Sequence, residues 1–190
     1  FWDARTGGER KLLVDPPAEG ARRVAFSPDG KWIALGMGNG NVSMWNLATG
    51  HKVHSFAETS TPATQLCFSR DSTLLASGAE NNRITIYDVL RQRPIKSIAA
   101  HTQSIWGMAF APDDKTLVST SWDGTIKFWC VANTQLALTL GHDGASVYSA
   151  AFSPAGDLLA TCGADGTVRL WPAPSLAEID AAEKQAPSKR

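Results

Sequence analysis

The sequence predicts an all-β repeat protein, and three series of residues with one common spacing lead to this class. Four phenylalanines recur every 42 residues, at Phe26, Phe68, Phe110 and Phe152. A second aromatic series has the same period, at Trp45, Tyr87, Trp129 and Trp171. Turn-forming residues repeat in step with them, at Asn39, Asn81, Asp123 and Asp165. Self-similarity at a fixed period of this length indicates repeated structural units.

Each repeat contains the pattern of four short strands. In the third repeat they are the segment ending at Met108-Ala109-Phe110, then Thr116–Ser119, Thr125–Trp129 and Leu136–Leu140. Asp123-Gly124 separates the second strand from the third and predicts a two-residue hairpin turn with positive φ at both central residues. No helical period interrupts the strands. Four short antiparallel strands in every repeat are the pattern of a β-propeller blade.

The spacing also gives the organisation of the chain. Residues 1–15 are assigned to the end of a preceding blade, with Lys11–Val14 as its outer strand. The four repeats cover about 16–56, 57–98, 99–140 and 141–174. Residues 175–190 form a tail, for which two interpretations stay open. The capping-box spacing from Ser175 to Glu178 favours a short helix, whereas the terminal position favours disorder.

Composition excludes several classes of partner. Eighteen basic and eighteen acidic residues give a formal net charge of zero, and no basic block runs through the repeats. We therefore expect neither nucleic acid nor a membrane surface as partner. The three cysteines are odd in number and lack CxxC spacing, which argues against disulfides and a zinc site. Free thiols in a reducing compartment are expected, and the localisation predicted is cytoplasmic.

The repeats resemble a known family at several motifs. These are Gly124-Thr125-Ile126-Lys127-Phe128-Trp129, Gly166-Thr167-Val168-Arg169-Leu170-Trp171, the Gly141-His142 pair and Trp2-Asp3. In these motifs the chain resembles the WD-repeat family over about residues 1–174. The resemblance implies a ring of four-stranded blades around a central channel, generally used as a platform for protein partners.

The resemblance also implies a buried, hydrogen-bonded tetrad of histidine, serine or threonine, aspartate and tryptophan in each well-formed blade. The two sets at matching positions are His101, Ser119, Asp123 and Trp129 in the third repeat, and His142, Thr161, Asp165 and Trp171 in the fourth. A buried aspartate is costly unless it is satisfied, and histidine can satisfy it. A His/Ser/Asp set also suggests a catalytic triad. Because the set recurs in each blade and catalysis needs one exposed serine beside an oxyanion hole, we favour the structural interpretation.

The first two repeats depart from the tetrad pattern. Asn39 and Asn81 replace the turn aspartate, Leu35 stands at the serine or threonine position, and Tyr87 replaces a tryptophan. Neither repeat has a histidine before its first strand. We expect these two blades to be less rigid.

Other candidate sites are weaker. The segment Gly36–Gly40 looks like a phosphate-binding loop, but no helix follows it, so a glycine-rich hairpin is the better interpretation. His51 and His54 could form a metal pair, although solvated histidines are commoner at such positions. No GxSxG, Walker-type or HExxH motif occurs. We therefore predict no catalytic residue, no metal, no cofactor and no enzymatic activity.

The resemblance indicates where a partner would bind. WD-repeat proteins commonly use the surface near one mouth of the channel, here called the top surface. The residues of this chain that map to it and suit an interface are Arg22, Glu80, Trp106, Trp122 and Tyr148. Aromatic residues and arginine dominate interaction hot spots. The alternative is that these rings merely pack between blades.

The chain begins within a motif, at Phe1-Trp2-Asp3 and without methionine, so we expect a fragment or a processed product. Its two ends are complementary, and the ring could close within the chain as four blades, between two copies as eight, or with further amino-terminal blades as about seven. We favour the carboxy-terminal part of a larger propeller of about seven blades, with the two-chain ring second. Further blades of the parent chain, or a second copy, are thus expected partners.

The function predicted from these features is a non-catalytic scaffold that binds other proteins or peptides. The alternative is a regulatory or sensory propeller fused to a catalytic domain, for example a kinase or a protease. Alanine-rich repeats such as Gly163–Val168 resemble those of bacterial proteins that often carry such fusions. The upstream gene sequence would distinguish the two.

Overall fold

The computed structural model describes residues 3–9, 13–14, 20–56 and 61–172, and all regular structure within these ranges is β. Its strands are β1 (Ala21–Phe26), β2 (Trp32–Met37), β3 (Val42–Asn46), β4 (Lys52–Phe56), β5 (Ala63–Phe68), β6 (Leu74–Ala79), β7 (Arg83–Asp88), β8 (Arg93–Ala99), β9 (Ile105–Phe110), β10 (Thr116–Ser121), β11 (Thr125–Cys130), β12 (Leu136–Gly141), β13 (Val147–Phe152), β14 (Leu158–Gly163) and β15 (Val168–Pro172).

The strands form four separate antiparallel sheets, each made of strands consecutive in the chain. Blade one is β1–β4, blade two β5–β8, blade three β9–β12, and blade four β13–β15. Blade four has three strands within the described residues. The outer strand predicted at Lys11–Val14 lies half outside them. Leu13 and Val14 are described and are not in a strand, although the Val14 N–H donates to the Gly50 carbonyl at 2.9 Å. The predicted tail at 175–190 lies wholly outside them.

The hairpin between the second and third strands of each blade differs from the predicted two-residue turn. In blade three, Gly124 N–H donates to the Ser121 carbonyl, and the loop contains three residues, from Trp122 to Gly124. Only Gly124 has positive φ, at 78°. The prediction of positive φ at Asp123 is wrong, because its carboxylate accepts the N–H of Thr125 at 3.0 Å and favours a type I turn closed by one left-handed glycine.

The inner strands β1, β5, β9 and β13 lie next to one another, and each blade packs one face onto the following blade. Between blades one and two, Val42 and Met44 join Leu75 and Tyr87 in one buried apolar cluster. Equivalent clusters fill the next two interfaces. The cores therefore lie between sheets, which fixes the blades in their order around an axis.

The end faces of this stack are uncovered within the described part of the chain. Val168 and Leu170 on blade four are 70% and 60% exposed. Val42 and Met44, which occupy the same positions three repeats earlier, are fully buried by the following blade. Phe26, on the opposite face of blade one, is 54% exposed. These faces have the composition of blade-to-blade interfaces.

Side chains at one repeat position bridge consecutive blades near the top surface. Arg23 Nε donates to the Thr64 carbonyl, and Gln65 Nε2 donates to the Trp106 carbonyl at 3.4 Å. The third residue of this series is Gly107, at which a Cβ would lie 2.8 Å from the Cα of Ser149. The third interface therefore replaces a side-chain bridge with close backbone contact.

A second series bridges the blades at the opposite end of the sheets. The Ser72 hydroxyl accepts the N–H of Asp29 at 3.1 Å. Its equivalent, Asp114, accepts the N–H groups of Arg70 at 2.6 Å and Asp71 at 2.9 Å. Ser72 and Asp114 have φ of 63° and 58°, a conformation that directs each side chain back to the preceding blade.

Candidate functional site

Blade three contains a continuous chain of buried hydrogen bonds that joins two strands, the hairpin between them and the loop before the blade. Trp129 Nε1 donates to the Ser119 hydroxyl at 2.8 Å, and this hydroxyl lies 2.8 Å from His101 Nε2. His101 Nδ1 lies 2.9 Å from the Asp123 carboxylate. The structure therefore brings all four residues of this predicted tetrad together.

The donors and acceptors in this series of hydrogen bonds define the protonation state of His101. The Ser119 oxygen accepts the indole N–H, so its own proton is available for His101 Nε2. His101 then donates from Nδ1 to Asp123 and is neutral. Ser119 has no exposed surface, and a substrate could not reach its hydroxyl. The geometry suits fastening of strands rather than nucleophilic attack.

Burial and hydrogen bonds move the pKa values of this pair in the directions that such a neutral histidine requires. Burial lowers the pKa of His101, and the neighbouring Asp123 offsets this only in part. For Asp123, burial acts to raise the pKa, but donors outweigh it and hold the pKa at about 2. Those donors are the Thr125 hydroxyl and N–H, and the Thr102 N–H at 3.0 Å. Asp123 is therefore a carboxylate over the physiological pH range.

Blade four forms only part of its predicted tetrad. Trp171 Nε1 donates to the Thr161 hydroxyl at 2.9 Å, and His142 Nδ1 lies 3.4 Å from Asp165. Within the described residues, neither ring nitrogen of the buried His142 makes a hydrogen bond. Arg169 also contacts the Asp165 carboxylate, at 3.1 Å. Lys127 occupies the same repeat position in blade three, where it donates to the Ala100 carbonyl instead of binding the turn aspartate. We therefore attribute the longer distance between His142 and Asp165 to competition from Arg169.

Blade two replaces the tetrad by hydroxyl pairs that the sequence reasoning missed. The Tyr87 hydroxyl lies 3.4 Å from the Ser77 hydroxyl, which matches Ser119 in the repeat. Thr85 donates to the Ser97 hydroxyl at 3.0 Å, joining the third strand to the fourth. The 42-residue register already aligned Ser77 with the tetrad serine and could have revealed the first pair.

The top surface contains a stack of aromatic and cationic groups. The rings of Trp106 and Trp122 are nearly parallel, at 10°, with centroids 5.1 Å apart. The Arg23 guanidinium lies over the Trp106 ring, 5.7 Å from its centroid. Trp122 remains 43% exposed. Trp122 therefore packs one face on Trp106 and keeps part of its surface open to solvent.

The other predicted top-surface residues lie around this stack. Arg22 and Glu80, in neighbouring blades, form an exposed ion pair at 3.2 Å. Tyr148 is 45% exposed, and Ser146 near it donates to the Trp122 carbonyl at 3.1 Å. Arg23 was missed by sequence reasoning, although it is next to Arg22 in the chain.

The weaker candidates have ordinary structural surroundings. Gly36–Gly40 forms the end of β2 and the hairpin that follows it. His54 packs its ring against Phe56, with centroids 4.5 Å apart. The described ranges contain no cluster of three or more histidine, cysteine or acidic side chains suited to a metal ion. The same ranges contain no helix of the length and apolarity needed to cross a bilayer.

Consecutive antiparallel sheets of three or four described strands, packed face to face and with a complete His/Ser/Asp/Trp hydrogen-bond chain in blade three, define a β-propeller repeat protein. The family model "WD domain, G-beta repeat" matches residues 50–88, 92–130 and 134–172, more than half of the chain. The chain therefore belongs to the WD-repeat family. A second model, "Anaphase-promoting complex subunit 4 WD40 domain", matches residues 5–64. Comparison with curated protein sequences gave no match.

Solved structures show the same fold. A chain of a mitotic checkpoint complex crystal structure superimposes with a TM-score of 0.81 at 24% identity, over 90% of this chain and 55% of that one. The RRP9 WD40 repeats give 0.75 at 25% identity, over 84% and 50%. U3-55K gives 0.76 at 25% identity, over 85% and 51%. The chain thus spans about half the length of these similar structures.

Proposed function

We propose that this chain is a non-catalytic scaffold that binds protein or peptide partners through its top surface. One observation carries the proposal: Trp122 is 43% exposed and stacked on Trp106, which is itself held under Arg23. A large ring fixed in place loses little side-chain entropy when a partner covers it. Such aromatic anchors are typical interaction hot spots.

Membership of the WD-repeat family supports the proposal, because its modules generally serve interaction rather than chemistry. The structures similar to this chain include a subunit of a protein assembly, the mitotic checkpoint complex. The buried hydroxyl of Ser119 supports a structural rather than catalytic role for the one well-formed His/Ser/Asp set.

The test compares substitutions on the top surface with matched substitutions on the perimeter of the blades. Trp122→Ala and Tyr148→Ala each remove a half-exposed ring, and Leu136→Ala and Leu138→Ala remove side chains that are 49% and 48% exposed on β12. Partners are first identified by crosslinking to the intact wild-type protein, and their affinities for each variant are then measured.

We expect Trp122→Ala to weaken partner binding by at least about 30-fold, the size of a hot-spot loss of about 2 kcal/mol. The perimeter variants should bind as the wild type does. Equal losses in both sets, or a loss only on the perimeter, would place the binding surface elsewhere and contradict the proposal.

A further inference from the structure

Arg23 is a fixed cation whose contacts are all neutral. Its Nε donates to the Thr64 carbonyl, its Nη1 donates to the Arg22 carbonyl at 3.1 Å, and its guanidinium lies over the Trp106 ring. Within the described part of the chain, no carboxylate pairs with Arg23. The one acidic residue assigned to the top surface, Glu80, is paired with Arg22. Arginine stays charged at all physiological pH values, so this site holds an uncompensated and oriented positive charge.

Two further donors at this site lack acceptors. The Thr64 hydroxyl and the Trp106 indole N–H are buried, and neither makes a hydrogen bond within the described residues. Thr64 is only 4% exposed, and both residues contact Arg23. Unsatisfied buried donors cost about 1–3 kcal/mol each. Because both atoms are buried, a partner cannot reach them, and the group that it can reach at this site is the half-buried guanidinium of Arg23.

From these contacts we infer that the top surface recognises a partner segment in which a carboxylate side chain stands beside an apolar one. The inference rests on the proposed function and specifies the partner chemistry at the same site. A carboxylate has two acceptor oxygens and no donor, and it matches the guanidinium of Arg23, whose Nη2 forms no hydrogen bond within the described ranges.

The apolar part of the segment would lie on Trp122. Its ring extends the Trp106 stack and is 43% exposed, so it offers a flat apolar surface beside Arg23. A cationic segment is disfavoured although aromatic faces attract cations. Arg23 already occupies the stack, so a second cation there would meet a like charge.

Repeat equivalence supplies a variant that removes the charge without removing the bridge between blades. Gln65 occupies the position of Arg23 in blade two and donates to the equivalent carbonyl, that of Trp106. Arg23→Gln should therefore keep the bridge to Thr64 while it removes the cation, together with its hydrogen bond to the Arg22 carbonyl and its contact over the Trp106 ring. Arg83→Gln is the matched control, because Arg83 is a half-buried arginine on β7 that binds Ser97.

The experiment uses the intact protein and three synthetic peptide libraries that differ at one fixed residue. The fixed pair is Glu-Phe, Gln-Phe or Lys-Phe, with randomised flanks, and binding is followed by fluorescence anisotropy. We expect the Glu library to bind about tenfold more tightly than the Gln library, the size of one charge-assisted hydrogen bond. The preference should weaken in high salt, disappear in Arg23→Gln and persist in Arg83→Gln.

The remaining outcomes separate this inference from the proposed function. If the Glu and Gln libraries bind equally and both weaken in Trp122→Ala, the inference fails and the binding surface stands. A preference for the Lys library, or preference for Glu that survives Arg23→Gln, also overturns the inference. Binding that Trp122→Ala leaves unchanged, or no binding of any library, contradicts both. Duplex DNA and RNA added as competitors should not displace the Glu library, and displacement by them would overturn recognition of a carboxylate.

Discussion

His101 Nδ1 lies 2.9 Å from Asp123 Oδ2, and the two side chains are 0% and 7% exposed. We predict that Asp123→Asn lowers the free energy of unfolding by about 1.5–3 kcal/mol, because the buried histidine loses a charged acceptor. Asparagine preserves the turn, since Asn39 and Asn81 accept the same N–H contact in blades one and two. The substitution therefore tests the contacts of Asp123 Oδ2, which lies against His101 and also accepts the Thr102 N–H at 3.0 Å. Urea unfolding of the intact protein measures the change.

Asp165→Asn is the matched substitution in blade four, and its effect should be smaller. His142 lies 3.4 Å from Asp165 without a hydrogen bond, and the Asp165 side chain is 26% exposed. If both variants lose the same stability, the distinction between the complete and the partial tetrad is wrong.

Acidification should destabilise blade three through His101. Its pKa in the folded protein lies below the ordinary value of about 6.5, so the unfolded chain takes up the proton more readily. Stability should therefore fall as pH drops below about 6.5. Asp123, whose folded pKa is about 2, adds a second loss as pH falls from about 4 toward 2. Unfolding free energy measured against pH should show a shallower acid slope in His101→Gln, and an unchanged slope would contradict this assignment.

Because blades three and four approach closely at Gly107, adding one methyl group there should strongly destabilise the protein. A Cβ at Gly107 would overlap the Thr120 hydroxyl and lie 2.8 Å from Ser149 Cα and 3.0 Å from Ala150 N. Gly107→Ala should cost at least about 1–3 kcal/mol, because backbone atoms must move. Gly141→Ala on β12 is the control, since a Cβ there meets nothing within 4 Å. Thermal unfolding compares them, and equal melting temperatures would show that the interface yields easily.

The bridge from Asp114 should stabilise the interface between blades two and three more than the bridge from Ser72 stabilises the interface between blades one and two. Asp114 accepts two backbone N–H groups, whereas Ser72 accepts one. Gly30 and Gly156 show that glycine fits this left-handed position. We expect Asp114→Gly to cost about 2 kcal/mol or more and Ser72→Gly about 1 kcal/mol. Chemical denaturation gives both values, and the reverse order would contradict the charge-assisted bridge.

Much of this architecture followed from periodicity. The phenylalanine series marks the inner strands, and the turn residues mark the hairpins, because strand patterns and turns are local signals. Turn type was predicted incorrectly, since the Asp123 side chain's contact with Thr125 decides it. The family resemblance also placed Ser119 and Trp129 in one tetrad, but no spacing reveals that Arg169 competes for Asp165.

The sequence predicted which positions form the top surface, but not which side chains contact one another there. Trp106 and Trp122 are sixteen residues apart in the chain, and their stacking depends on how β9 and the β10–β11 hairpin meet. Arg23 reaches this stack from another blade, more than 80 residues away from Trp106 in the chain. Contacts between blades depend on three-dimensional packing that a single sequence does not contain.

The bridges near the top surface differ at each interface, where arginine, glutamine and glycine occupy one repeat position. Repeats of similar sequence risk wrong docking during folding, for example of blade one onto blade three. Glycine at position 107 suits an interface at which the backbone of the next blade comes very close, and an arginine side chain at that position would clash. Each blade thus docks onto its own successor better than onto another repeat, so these contacts favour the native order of the blades during folding.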